Sequence, residues 1–236
     1  MTGSPDRVTV CDSSPVSVFF VALVLAGVAG FVDAVCFLHV VGVFPANQSG
    51  NAVFLGLSIG GNSPAPGWAP PVAIFAFMVG AAIARLLTVR VGPRRSAATL
   101  LGAESVLLMA LAVVFVVKGS SDTFTTTAAQ VAALASAAVA MGLQTDVIGA
   151  VAGVAVSTTY QAAAIARIGE AIATPPSTRD RDSGRPLLVV LSVVLLAYIG
   201  GAALGATRMG DGRTALLVPV ALVAGLFAIA CARPWS

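Results

Sequence analysis

Apolar residues in this chain come in blocks about twenty positions long, not at the every-second or every-third spacing of a half-buried strand or a surface helix. Six blocks, 16–41, 72–91, 97–117, 128–148, 187–206 and 214–232, reach the roughly 20 residues a helix needs to cross bilayer hydrocarbon. Two further apolar stretches, 48–60 and 154–173, are short or carry Gln161, Arg167 and Glu170. Backbone in contact with lipid must satisfy its own hydrogen bonds, and uninterrupted runs of this length do so as helices. The pattern predicts an all-α fold: a polytopic membrane helical bundle of six long transmembrane helices plus two short half-helices.

Composition removes the soluble alternative. With 58% hydrophobic and 10% charged residues, the chain has too little polar surface to face water. Its net charge of +3, from 13 basic and 10 acidic side chains, is too small an excess for a nucleic-acid surface. Cys11, Cys36 and Cys231 are scattered without metal-ligand spacing, so neither a metal site nor a disulfide framework is expected. No phosphate loop, zinc-protease motif, nucleophile elbow, redox cysteine pair or dinucleotide fingerprint occurs, which argues against an enzyme and against a cofactor. The expected partners are the lipid bilayer and a small solute, with a homo-oligomer compatible and no nucleic acid.

Loop charge decides between topologies, because Lys and Arg collect on the cytoplasmic side. If the two short stretches do not span, Arg7, Arg90, Arg94, Arg95, Arg179, Arg181, Arg185 and Arg233 fall inside and Lys118, Arg208 and Arg213 outside. If both span, the bias disappears. The expectation is a multi-pass protein of the cell membrane with both termini cytoplasmic. Residues 1–15 read as a soluble tail, since Asp6, Arg7 and Asp12 precede an apolar block too long for a cleaved signal peptide.

The order long, short, long, long occurs twice, at 16–118 and 119–236, with matching elements about 112 positions apart. Gly30-Phe31-Val32-Asp33-Ala34-Val35 faintly echoes Gly142-Leu143-Gln144-Thr145-Asp146-Val147, and Asn47, Gln48 and Ser49 fall opposite Thr158, Thr159, Tyr160 and Gln161. Three spans per half would insert the halves in opposite senses, an inverted internal repeat. In transporters built that way, paired interrupted segments point to a site at the bilayer midplane.

A helix that starts inside the membrane leaves its first N–H groups needing polar partners, and its dipole favours an electron-rich group there. The candidate substrate-binding residues are therefore Asp33, Asn47, Gln48, Ser49, Gly50 and Asn51 in the first half, with Gln144, Thr158, Thr159 and Tyr160 in the second. Simple capping of the interrupted backbone is the competing explanation for the same residues. Asp33 could carry a proton or cation, or cap the short segment that follows it; Asp146 lies near a span end and reads as structural. His39 is left outside the site. Arg85 and Glu104 would sit at similar depth, roughly 10 Å inside, if the second and third long helices are antiparallel, so they are expected to form a structural ion pair. Gly80-Ala81-Ala82 and Gly200-Gly201 with Gly205 supply small faces for close helix packing.

The stretch Gly30 to Val35, followed by Phe44-Pro45-Ala46-Asn47-Gln48-Ser49-Gly50-Asn51, resembles the signature of the YoaK-like bacterial membrane proteins, domain of unknown function 1275. Gly142-Leu143-Gln144 and Val156-Ser157-Thr158-Thr159-Tyr160 are similar to that family's second signature, so the resemblance covers most of the chain. Ser49 stands where the family usually has Thr, and Ala162-Ala163 replaces a Thr-Gly pair, which removes a hydroxyl and a glycine from the second half-site. The resemblance implies a membrane protein and brings no established activity. The reading taken from the sequence is a permease or channel for a small polar or anionic solute; the alternative is a non-transporting membrane scaffold.

Overall fold

The computed structural model describes residues 15–118, 126–152, 161–173, 184–208 and 216–232. They form helices α1 (Pro15–Cys36), α2 (Gln48–Ile59), α3 (Ala69–Val91), α4 (Pro93–Lys118), α5 (Thr127–Ala152), α6 (Gln161–Ala173), α7 (Gly184–Arg208) and α8 (Leu217–Ala232), with a π-helical turn, Phe37–Val41, extending α1. Among the described residues, five helices are long and apolar enough to cross a membrane: Phe19–Val41, Ala69–Val91, Arg95–Val116, Thr127–Val147 and Leu188–Thr207. The sixth expected span, 214–232, is described only in part. Within it the described helix is Leu217–Ala232, 16 residues of nearly uninterrupted apolar sequence, and residues 214, 215 and 233–236 lie outside the described residues. The two interrupted stretches form α2 and α6, of 12 and 13 residues. At about 1.5 Å per residue each is roughly 20 Å long, less than bilayer hydrocarbon is thick.

The distribution of side chains is that of a membrane protein. Phe20, Phe75, Met78, Leu86, Val89, Val106 and Leu196 lie on the outside, whereas Asp33, Asn51, Glu104 and Gln144 are buried inside. A soluble bundle would reverse this arrangement, because water favours charged groups outside and lipid does not.

Four helices close a ring: α1 adjoins α5 and α8, and α4 adjoins the same two. Its interior is filled by Leu25, Val28 and Val32 of α1, Leu100, Leu101 and Leu108 of α4, Met141 of α5, and Val223 of α8. The closest packing lies on the ring's flanks, where α7 lies along α1 and α3 along α5. Both pairings depend on glycine. A Cβ at Gly30 would collide with the Tyr198 carbonyl, and one at Gly201 with the Gly27 carbonyl; in the other pair, Gly142 meets the Phe77 carbonyl and Gly80 that of Val139. Backbones this close exchange dispersion contacts that a lipid tail cannot replace. α2 packs on α3, and α6 on α7.

The expected Arg85–Glu104 ion pair does not form. Arg85 is on the exposed side of α3, and among the described residues neither carboxylate oxygen of Glu104 has a hydrogen-bond partner. Equal depth on antiparallel helices does not fix azimuth. The buried face of α3 is the small-residue row Ala73, Ala76, Gly80 and Ala84, and Arg85, one position past Ala84, turns outward. From there, about 9 Å short of the helix end, its long side chain can extend toward the interface.

Candidate functional site

The polar residues of the first half gather where the chain leaves α1. Gly42 ends the π-helical turn with φ of 75°, a left-handed conformation that suits glycine and reverses the chain direction. The reversal brings Ala46 back to Asp33, whose Oδ1 accepts the Ala46 N–H at 2.6 Å. Asp33 lies eight residues before Val41, so the segment leading into α2 is drawn back by roughly 12 Å along α1. Asp33 Oδ2 accepts the Tyr198 hydroxyl of α7 at 2.5 Å. One carboxylate, 2% exposed, thereby joins α1, the entry to α2, and α7.

Asn47 caps α2: its Oδ1 accepts the Gly50 N–H at 3.2 Å and the Ser49 hydroxyl at 2.8 Å. Asn51, fully buried, clamps the backbone of Phe44 from both sides. Its Oδ1 accepts the Phe44 N–H at 3.0 Å, and its Nδ2 donates to the Phe44 carbonyl at 2.5 Å and to Gln48 Oε1 at 3.0 Å. Gln48 Nε2 in turn donates to the Pro45 carbonyl at 2.7 Å. Phe44 lies close over Gly50, 3.1 Å from where a Cβ would stand, so a larger residue there would press on the ring. Phe44 stacks on Phe37 with ring centroids 4.8 Å apart, and Phe54 closes the aromatic group. The loop is a knot whose side chains bond mainly to its own backbone, which is the capping explanation of these residues in atomic detail.

This geometry sets two magnitudes. Asn47→Ala removes an N-cap and costs about 1 kcal/mol. Asn51→Asp keeps the acceptor for Phe44 N–H but turns two donors into a carboxylate facing the Phe44 carbonyl and Gln48 Oε1, a loss of about 2–4 kcal/mol. Thermal unfolding in detergent micelles ranks the two variants; equal melting temperatures would rule out the clamp.

Gln144 of α5 lies inside the ring, fully buried. Its Nε2 donates to the Leu25 carbonyl of α1 at 2.7 Å, while its Oε1, among the described residues, meets no donor. Asp146 is half-buried, and its Oδ2 is likewise without a donor. Among the described residues, Gln144 takes no part in the hydrogen bonds of the Asn47–Asn51 knot. Thr158, Thr159 and Tyr160 lie outside the described residues. His39, in the π-helical turn, is exposed. Cys36 is buried and Cys231 exposed, both as free thiols, and the described residues contain no group of three or more His, Cys, Asp or Glu that could hold a metal ion.

One polar group of the site escaped the sequence reading, and another was given the wrong partner. Tyr198 is one of two tyrosines in the chain and stands in an apolar span just before Gly200-Gly201; a lone hydroxyl there was the available signal, because a buried tyrosine normally finds a partner. Glu104 was expected to be buried at the depth of Arg85 but stands without it among the described residues. The family model described as "Protein of unknown function (DUF1275)" matches residues 21–229, nearly the whole chain. No curated protein and no solved structure matches it.

Proposed function

The chain belongs to the DUF1275 family of membrane-embedded helical proteins of unknown function, and from that premise we propose that it is a small-solute permease built as an inverted repeat, with its pathway inside the ring of α1, α4, α5 and α8. The observation that carries this reading is the exchange symmetry of the packing. Substituting α1 to α4 for α5 to α8 turns the α1–α7 contact into α5–α3, α2–α3 into α6–α7, and α4–α5 into α8–α1. The correspondence extends to single residues. Gly30 and Gly142 are 112 positions apart, and their backbone neighbours Tyr198 and Phe77 are 121 apart, as are Ala202 and Ala81. Two halves related in this way, each with a short described helix of 12 or 13 residues, suit a protein that rocks about its centre.

The expected topology follows from helix count. If α4, α5 and α7 cross and α6 does not, single cysteines at Gly92 and Thr207, in a background lacking Cys11, Cys36 and Cys231, label from opposite sides of the membrane. Labelling from one side would mean that α6 crosses and, if its counterpart α2 crosses likewise, that the halves are parallel, which removes the midplane argument. The scaffold reading draws on a specific observation, the internal satisfaction of the Asn47–Asn51 knot, which leaves little there for a solute to bind. Flux of small solutes into proteoliposomes separates the two: a scaffold gives no flux above empty liposomes.

A further inference from the structure

Glu104 lies at mid-depth of the span Arg95–Val116, roughly 14 Å from one end and 18 Å from the other. No glutamate side chain reaches either interface from there. It shares a helix face with Leu100, Leu101, Leu108 and Leu111, and like the leucines that fill the ring it is fully buried, with 0% exposure. Among the described residues, neither of its carboxylate oxygens meets a donor. α4 packs on α3, α5 and α8. The charged and titratable side chains of those helices are Arg85 and Arg90, Asp146, and Cys231: the arginines and the cysteine are exposed, and the half-buried Asp146 is itself an acid. α1, across the ring, adds Asp33 and Cys36, neither of them cationic. On α4 the basic residues Arg94, Arg95 and Lys118 stand nine or more positions away. An isolated carboxylate in apolar surroundings is relieved most directly by a proton, which removes the charge and needs no further group.

We infer that Glu104 is a proton-binding site inside the membrane, which holds a proton while the ring is closed and releases it to water when the ring opens. Ionisation is costly while the carboxyl group is sealed among leucines, and hydration removes that cost. Opening therefore favours loss of the proton, and by linkage loss of the proton favours opening. The step needs no other reactant: the O–H bond of the acid breaks, water takes the proton, and the carboxylate stays behind in the hydrated ring. The assignment deepens the permease reading by making the proton its coupling ion, and its transport role rests on that reading.

Infrared spectra of the detergent-solubilised full chain, wild type minus Glu104→Gln, are expected to show at neutral pH the carbonyl stretch of a protonated carboxylic acid. Ionised-carboxylate bands in its place overturn the proposal. Unfolding gives a second reading. Above about pH 4.3 the unfolded chain gives up the Glu104 proton while the folded protein keeps it, so the unfolded state binds fewer protons and stability falls as pH rises. Relative to Glu104→Gln, the wild type loses up to about tenfold in folding constant per pH unit, until the folded group ionises as well. A carboxylate held ionised by a cation gives the reverse, a variant less stable than the wild type at neutral pH, and that result also sinks the proton site. Opening is read from Leu108→Cys, one turn from Glu104 on the same face, in a background lacking Cys11, Cys36 and Cys231. Any thiol labels faster as pH rises, so the quantity compared is the ratio of its labelling rate by a membrane-impermeant methanethiosulfonate with Glu104 present to the rate with Glu104→Gln. That ratio grows severalfold with pH; a constant ratio overturns the link between the proton and opening. If proteoliposomes show no solute flux while the acid band and the growing ratio persist, the proton site stands and the permease reading falls.

Discussion

Asp33→Ala lowers the stability of the solubilised protein by about 3–5 kcal/mol, because it strands the Ala46 N–H and the Tyr198 hydroxyl together, each an unsatisfied donor costing about 1–3 kcal/mol. For a chain of this size that is a fall in melting temperature of about 10 °C or more. Asp33→Asn is milder, near 1–2 kcal/mol, since its amide oxygen still accepts from Ala46 and the tyrosine oxygen can accept from the new NH₂. Tyr198→Phe falls in the same range. Asn and Phe together cost less than their sum, because both remove the same Asp33–Tyr198 bond. The readout is built into the molecule: Cys36 is fully buried one turn from Asp33, so a thiol-reactive dye reports unfolding once Cys11 and Cys231 are replaced. An Asp33→Ala protein that melts with the wild type would show that the carboxylate does not hold the loop to the bundle, and the account of the segment leading into α2 would go with it.

What the sequence made legible, and what it did not, divides along physical lines. Burial of Asp33 followed from its place in an apolar block, because a carboxylate there has few ways to be stable, whereas its capping of the segment toward α2 was one of two roles the sequence left open. The interruption at Asn47–Asn51 was legible for the same reason. Its internal wiring was not: the grip of Asn51 on Phe44 spans seven residues around an irregular turn, and no periodicity encodes it. The Arg85–Glu104 pairing failed because depth can be read from residue number whereas azimuth depends on which face a helix commits elsewhere. Here α3 commits its small-residue face to α5. Glycine clusters at Gly80 and at Gly200, Gly201 and Gly205 identified helices that pack closely, but not with which partner, since a glycine-lined face fits any backbone of complementary shape.

Gly201→Ala destabilises the bundle by about 3 kcal/mol or more, while Gly200→Ala, one residue away, costs nothing or gains up to about 1 kcal/mol. The new methyl at 201 would overlap the Gly27 carbonyl, which is backbone inside a packed helix and cannot rotate aside, so α1 and α7 must separate along their whole contact. At 200 a Cβ meets nothing within 4 Å, and alanine there only improves helix propensity. Neighbouring residues of the same type with opposite responses isolate steric contact from any general effect of removing glycine from a membrane helix. The same comparison tests the repeat. Gly80 occupies against α5 the place that Gly201 occupies against α1, each facing a carbonyl of the partner helix, so Gly80→Ala carries a similar loss. Gly30→Ala and Gly142→Ala form the second matched pair. Equal losses within each pair are the energetic signature of two equivalent crossings. A tolerated Gly80→Ala beside a damaging Gly201→Ala would mean that one half of the bundle is held far more loosely than the other, and a protein whose halves exchange roles about the ring would need both crossings to be equally rigid.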